Sequence, residues 1–385
     1  MQVEVTGGAS TTSRRPDRML TGLKVDWASG CKVYLDGIKE PLVDWQMGLA
    51  GPLFGLEYWW LTYERGAMRD GHFPPTSIAP SSESLVANML GGFYPDVEAI
   101  RFMCNGSDAC ASAVKLARAY TGRDKILSYG YHGTASCFAT PPEANARPGL
   151  PAQDMRGGTL KAERDAFVPL EWMGDYRLDD IAAVIVECPP ADGGRTFAAD
   201  WLNKLSLDAE GIGALFILDE VVTGFRYGPG GAAEYYGLQG LVDLYCFGKT
   251  LGNGFPIAAL AGRKEIMDLL TQNVHFSCTF FGAPIGLEAA RATLQRLRSD
   301  PPWPHLYEVG EYLKKEWNGA TPYPLVGHPT RPIIDDATID DKFTDLRRHL
   351  FNSGHICVSH PWYVSTAHKK EDVDSLVSAA KEWKA

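Results

Sequence analysis

The sequence predicts an α/β fold, with a large domain around a mostly parallel central sheet and a smaller α+β domain after it. Two observations carry this expectation. From about residue 84, short runs that are apolar along almost their whole length alternate with helical stretches, and after Pro301-Pro302 the pattern gives way to a mixed tail. Strands that are apolar throughout are covered on both faces, and alternation with helices places those helices on both sides of one sheet. The 385 residues allow two domains at roughly 100–200 residues each.

The first twenty residues are polar (TGGASTTSRRPDR lies among them) and read as an arm. Residues 24–54 alternate apolar patches with turn signals such as Asp36-Gly37, the pattern of a small sheet. The apolar runs that follow are AIRFMC (99–104), KILSYG (125–130), AAVIVE (182–187), ALFILD (214–219), DLYCFG (243–248) and PIAALAG (256–262). A helix is predicted over 108–121, with Cys110, Ala113, Val114, Ala117 and Tyr120 on one side and Lys115 and Arg118 on another. A last helix is predicted over 370–384.

Composition narrows the function. The 45% hydrophobic and 22% charged residues are those of a globular chain with a large core, which argues against disorder. A formal charge of -10 argues against direct nucleic-acid binding, which needs a basic face. Eight cysteines show no Cys-x-x-Cys spacing and join no histidine cluster at zinc-ligand spacing, so no metal is expected and the thiols read as buried and reduced. No apolar run reaches the ~18 residues of a membrane span, and residues 1–20 contain no apolar signal core, so a cytoplasmic protein with no membrane partner is expected. Glycine, 40 of 385, exceeds the usual ~7% and implies many tight turns or close approaches of backbone to a ligand.

In a parallel α/β sheet, ligands bind beyond the carboxyl ends of the strands. After the first run come Asn105-Gly106-Ser107-Asp108-Ala109, opening a helix whose first amides offer a phosphate site, with Ser107 or Asp108 as cap. After the second come Tyr131-His132-Gly133. The fourth ends in Asp219 and Glu220, followed by Val221. An acid at the end of a buried strand needs a cationic partner. The fifth ends in Gly248-Lys249-Thr250. A P-loop would need glycine at 243, which is Asp, and neither G-x-G-x-x-G after a strand nor G-x-S-x-G occurs. A lysine at the sheet edge, a buried acid, an anion cradle and an aromatic suit pyridoxal phosphate, which needs a Schiff-base lysine, a carboxylate on its pyridinium nitrogen, a phosphate cradle and stacking groups.

The segments RFMCNGSDACASAVKLARAYTGRDKILSYGYHGT (101–134) and ALFILDEVVTGFRYG with FGKTLGNGFPIAALAGRKEIMDLL (within 214–270) carry a resemblance. The chain resembles the class III aminotransferases of the fold-type-I pyridoxal-phosphate enzymes, nearest to the glutamate-1-semialdehyde aminomutase branch, from about residue 24 to its end. That resemblance implies a small domain built from both chain ends: an arm at 1–20, the first part of the small domain at 21–60, the cofactor domain at 61–300 and the remainder at 301–385. It implies that Lys249 forms the Schiff base and moves the proton, and that Asp219 pairs with the pyridinium nitrogen. Val221 would pack under the ring and Tyr131 over it, with Gly106, Ser107, Asp108 and Ala109 around the phosphate. Glu187 matches a family glutamate near the cofactor, with a purely structural strand-end acid as its equal alternative. His132 would support the site without reacting, and Arg226 would form a structural salt bridge. Thr279 matches a threonine that reaches the neighbouring subunit's phosphate, implying a homodimer with shared active sites. Ser365, His368 and Asp372 match a structural motif of the small domain.

Three departures bear on the reaction. The family's Glu-Pro-Val-x-Gly-Asn stretch reads Glu187-Cys188-Pro189-Pro190-Ala191-Asp192, its asparagine before the proline in the threonine segment is Ala283, and the Asn-Ser-Pro-Val-Arg motif of aminomutases is absent. These rank transfer between small-molecule amino and carbonyl substrates first, amino migration second, and decarboxylation of an unusual or conjugated amino acid third. A non-catalytic binding role is disfavoured by the intact Lys249 and Asp219. The aromatic segment Glu57–Glu64 reads as helix packing ahead of a stacking surface for a flat substrate.

Overall fold

The computed structural model describes residues 10, 21, 23–56, 79–141, 154–171, 173–189, 198–357 and 361–384. The expected arm, the aromatic segment 57–64 and residues 190–192 lie outside them, apart from Ser10. The described chain opens with β1 (Val25–Ser29), β2 (Lys32–Leu35) and β3 (Leu42–Asp44), an antiparallel meander. Helix α1 (Ser81–Gly91) leads into the large sheet: β4 (Ala99–Met103), α2 (Gly106–Thr121), β5 (Lys125–Tyr129), β6 (Phe167–Pro169), β7 (Ile181–Glu187), α3 (Ala199–Gly211), β8 (Leu215–Glu220), β9 (Leu244–Phe247) and β10 (Ala258–Gly262). The tail comprises α4 (Pro284–Ser299), α5 (Trp303–Asn318), a ribbon of β11 (Leu325–Val326) and β12 (Ile333–Ile334), α6 (Asp341–Asn352), β13 (His355–Ile356) and α7 (Lys370–Glu382). Strand β13 pairs in parallel with β3, so the smaller sheet is made from both ends of the chain.

The large sheet runs β4-β10-β9-β8-β7-β5-β6. Every pair from β9 to β6 is parallel, whereas β10 is antiparallel to both β4 and β9. The connection 248–257 holds only a short 3-10 turn, with no room for the crossover helix that a parallel return needs, so β10 reverses. The apolar run at 256–262 thus marks a strand but not its direction. Strand β6, three residues long, carries no periodic signal of its own.

The continuous apolar runs divide cleanly between two cores. Phe216 and Leu218 join Leu202 and Leu205 of α3 on one face, while Leu215 and Ile217 join Ala113 and Val114 of α2 on the other. Because side chains alternate along a strand, this parity also aims the polar strand ends. Asp219 follows Leu215 and Ile217 toward α2. Glu187, its register partner on β7, and Cys246, its partner on β9, belong to the same row. Glu220 points the other way, where it accepts from the Ala232 and Ala233 amides at 3.1 and 2.9 Å and from the Thr223 hydroxyl. Burial raises its pKa to about 7 against those three bonds. On α2 the expected face is buried except for Tyr120, which reaches past the last turn and donates to Glu265 at 3.0 Å.

Arg226 corrects an expectation. It is fully buried, but no carboxylate among the described residues pairs with it. Its guanidinium instead donates to the carbonyls of Val364 (2.9 Å), Ala50 (3.3 Å) and Thr330 (3.4 Å) and lies over the Tyr363 ring. Burial pushes its pKa down to about 10, with Tyr363 opposing. One side chain thereby ties the loop after β8 to both parts of the smaller layer. Arg226→Ala is expected to destabilise the chain by about 3 kcal/mol, since it strands buried acceptors. Thermal unfolding would measure this as a lowered Tm. Ser365 and His368 are structural as expected: Ser365 Oγ lies 2.9 Å from His368 Nδ1, and the buried imidazole stacks on Trp45 at 4.5 Å. Asp372 accepts from the Lys369 amide at 2.9 Å at the start of α7. Among the described residues, no helix is long and apolar enough to cross a membrane.

Candidate active site

The carboxyl ends of β4, β5, β7, β8 and β9 open on one cleft of about 310 Å³, closed on the far side by Phe255, Pro256 and Ile257 before β10. Of the residues expected to hold a cofactor, Gly106, Ser107, Tyr131, His132, Glu187, Asp219, Val221 and Lys249 line it. Asp108 and Ala109 do not line it and lie in the first turn of α2. Thr279 is exposed and does not line the cleft of its own chain.

One wall is the start of α2. The cap is Asn105, correcting the expectation of Ser107 or Asp108: its extended backbone lets its side chain accept from the Asp108 amide at 3.0 Å. Asp108 returns the contact by accepting from Asn105 Nδ2 at 2.8 Å, which turns the carboxylate away from the cleft. The amides of Gly106 and Ser107 precede any helical acceptor and carry the positive end of the helix dipole, so this end suits an anion. Two close approaches shape it. A β-carbon on Gly106 would lie 2.7 Å from Val221 Cγ2, and one on Gly133 (φ +105°) would lie 2.1 Å from Ser107 Oγ. Gly133→Ala therefore displaces Ser107 and strains the backbone. It is expected to weaken cofactor affinity by about tenfold or more, equivalent to about 1.4 kcal/mol, in a fluorescence titration.

The floor is a buried polar cluster around Asp219, 2% exposed. Its Oδ1 accepts from the Val221 amide at 3.0 Å. Its Oδ2 accepts from His132 Nδ1 at 2.7 Å and from the Cys110 thiol at 3.4 Å. His132 Nε2 lies 3.1 Å from the Tyr129 carbonyl, which can only accept. Both ring nitrogens thus carry protons, and the ring is an imidazolium. Burial opposes that charge, but the bonds with Asp219 and Cys110 prevail and raise the pKa to about 10. His132 is the cationic partner that a buried Asp219 requires. Glu187, on the same row, accepts from the Tyr131 amide at 3.4 Å.

Just past the end of the neighbouring strand β9 stands Lys249, half-buried, with φ +42°. A left-handed backbone on a residue other than glycine costs on the order of 1–3 kcal/mol and persists only where its surroundings impose it. The surroundings are the segment 50–55: Thr250 donates to the Ala50 carbonyl at 3.4 Å, and Asn253 Oδ1 accepts from the Phe54 amide at 3.0 Å. The segment that follows the N-terminal meander thereby braces the turn that carries the lysine.

Sequence reasoning missed Cys104, Asn105, Cys110, Val222, Phe255, Pro256 and Ile257 as cleft residues. Cys110 could have been found, since it lies one helical turn inside the glycine cradle and on the face that meets the sheet. The remainder follow from tertiary placement.

The family model "Aminotransferase class-III" matches residues 71–323 of this chain. A glutamate-1-semialdehyde 2,1-aminomutase from Methanopyrus kandleri is 31% identical, with 98% of this chain and 93% of that protein covered. Among solved structures, an omega-transaminase from Sphaerobacter thermophilus superposes with a TM-score of 0.84 at 21% identity, covering 98% of this chain and 92% of that one. A transaminase with pyridoxal phosphate bound gives 0.84 at 20% identity, covering 99% and 92%.

Proposed function

Since the chain belongs to the class-III aminotransferase family, we propose that it is an aminotransferase that tethers pyridoxal phosphate through Lys249 and moves an amino group between an amine or amino acid and a carbonyl compound. The observation that carries this reading is the placement of Lys249 and Asp219 at neighbouring strand ends, facing one cleft whose third wall is a helix start suited to an anion. The residues fit the group: a cradle that admits no β-carbon at Gly106 or Gly133, and a carboxylate already held by three donors.

Bound there, the cofactor supplies an electron sink for the substrate carbon that loses its proton. Ser107 and the first amides of α2 would hold its phosphate. Asp219 would pair with the ring nitrogen and favour its protonated form, while His132 keeps that carboxylate oriented and electrically balanced. Val221 and Tyr131, both lining the cleft, would pack against the ring. Lys249 would tether the group through its amine and, with that amine free, could carry a proton at its flexible end. Thr279, which is exposed, would serve the phosphate of a second copy in a homodimer with shared sites.

Amino migration is the second reading, favoured by the likeness to the Methanopyrus kandleri aminomutase. A panel of amino donors with a keto-acid acceptor separates the readings. A new keto acid formed in step with donor loss supports transfer. Isomerised substrate with no external acceptor consumed supports migration, and carbon dioxide release without a keto acid overturns both.

A further inference from the structure

The floor of the cleft brings together three kinds of metal-binding atom from distant parts of the chain. Cys110 on α2, His132 after β5 and Asp219 on β8 are all buried, and their ligand atoms lie within 4.8 Å of one another. All three residues line the cleft, so an ion entering it would meet them directly. No motif spacing predicts such a group, because its members are separated by whole βα units.

We propose that this floor is also a binding site for a thiophilic divalent cation such as Zn²⁺ or Co²⁺, taken up through Cys110 Sγ, His132 Nδ1 and Asp219 Oδ2 when the cofactor is absent. Zinc bonds of about 2.0–2.3 Å place tetrahedral ligand atoms roughly 3.3–3.7 Å apart. The Cys110–Asp219 separation of 3.4 Å already satisfies this, and the His132–Asp219 separation of 2.7 Å must open by less than about 1 Å. The outer contacts are those a ligating histidine needs: Nε2–H remains on the Tyr129 carbonyl, which fixes the ring, while the Val221 amide holds the other oxygen of Asp219. The mixed sulfur, nitrogen and oxygen set favours borderline-soft ions over Mg²⁺ or Ca²⁺. A fourth position opens on the cleft, where water can complete the shell.

The charge balance also permits the exchange. Uptake of the cation releases the Cys110 thiol proton and the His132 Nδ1 proton to solvent. The imidazolium–carboxylate pair, neutral overall, becomes a dication with a thiolate, a carboxylate and a neutral imidazole, which is also neutral. No net charge is added to a buried floor. Competition with pyridoxal phosphate rests on the proposed reading that Asp219 faces the ring nitrogen, since one carboxylate oxygen cannot serve both. Each ligand then weakens the other by the same factor.

The test uses the full-length chain freed of cofactor and titrated with Co²⁺. One equivalent should bind with a thiolate-to-cobalt charge-transfer band and release two protons. Cys110→Ala should abolish the band and weaken binding by at least about tenfold. Cys246→Ala should retain both, because Cys246 is buried beside Asp219 but does not line the cleft. Absence of a band, a band that survives Cys110→Ala, or one lost in Cys246→Ala overturns the site. X-ray absorption on the unmutated chain gives an answer independent of any variant: one sulfur per ion supports the site, and none or two overturns it. Loading with pyridoxal phosphate first should raise the apparent Kd for Co²⁺. An unchanged Kd overturns the competition and the ring-nitrogen role of Asp219, and leaves the cation site standing.

Discussion

Lys249→Ala is expected to lower turnover by about 10⁴-fold, the upper range for loss of a positioned proton carrier. The variant should still take up pyridoxal phosphate, because the cradle at Gly106, Ser107 and Gly133 is untouched. Borohydride should no longer fix the cofactor to the chain, and mass spectrometry of the reduced protein would show the added mass missing. Lys249 is held in a left-handed turn by contacts of Thr250 and Asn253 with the segment 50–55. Alanine keeps the β-carbon, and so the strain, and removes no buried hydrogen bond, so Tm should change little. A folded variant that keeps full turnover would remove Lys249 from the mechanism.

Asp219→Asn is expected to lower kcat by about 10²- to 10³-fold, the cost of losing a preorganised charge partner. It should also destabilise the chain by about 3 kcal/mol, because a buried pair loses one member. The second effect depends on pH with a definite sign. The His132 pKa is raised from 6.5 to about 10 by Asp219 and Cys110 against the opposing effect of burial. Between those values the folded chain holds a proton that the unfolded chain has lost. The stability contributed by the pair is therefore complete below about pH 6.5 and declines as pH rises toward 10. In Asp219→Asn that decline should flatten. Denaturant unfolding of both proteins across this range would show it, and parallel curves would exclude His132 as the titrating partner.

Apart from the three-residue β6, the strands of the large sheet were legible because they are largely buried and so apolar nearly throughout. The β4, β5, β7, β8 and β9 runs each fall within a residue or so of their observed limits. The direction of β10 was not legible, since an apolar run is the same read either way and only the short connection 248–257 reverses it. At the helix start, Ser107, Asp108 and Asn105 are all competent caps. The one that serves is the one the chain leaves extended, and this is set by how β4 enters the turn. For Arg226, burial and a structural role could be anticipated, but its partners are carbonyls brought together from residues 50, 330 and 364.

Taken alone, the sequence determined the α/β architecture and the two residues on which the proposed chemistry turns. Periodicity is written locally, and a lysine or an aspartate ending an apolar strand is a conspicuous cost that implies a use. Tertiary structure decided what surrounds them: His132 as the charge partner of Asp219, Cys110 as its second donor, and the segment 50–55 as the support for Lys249. These contacts join residues that lie 87 to 200 positions apart. Local pattern carries no record of such distances. They are set when alternate side chains of packed strands are assigned to one face or the other.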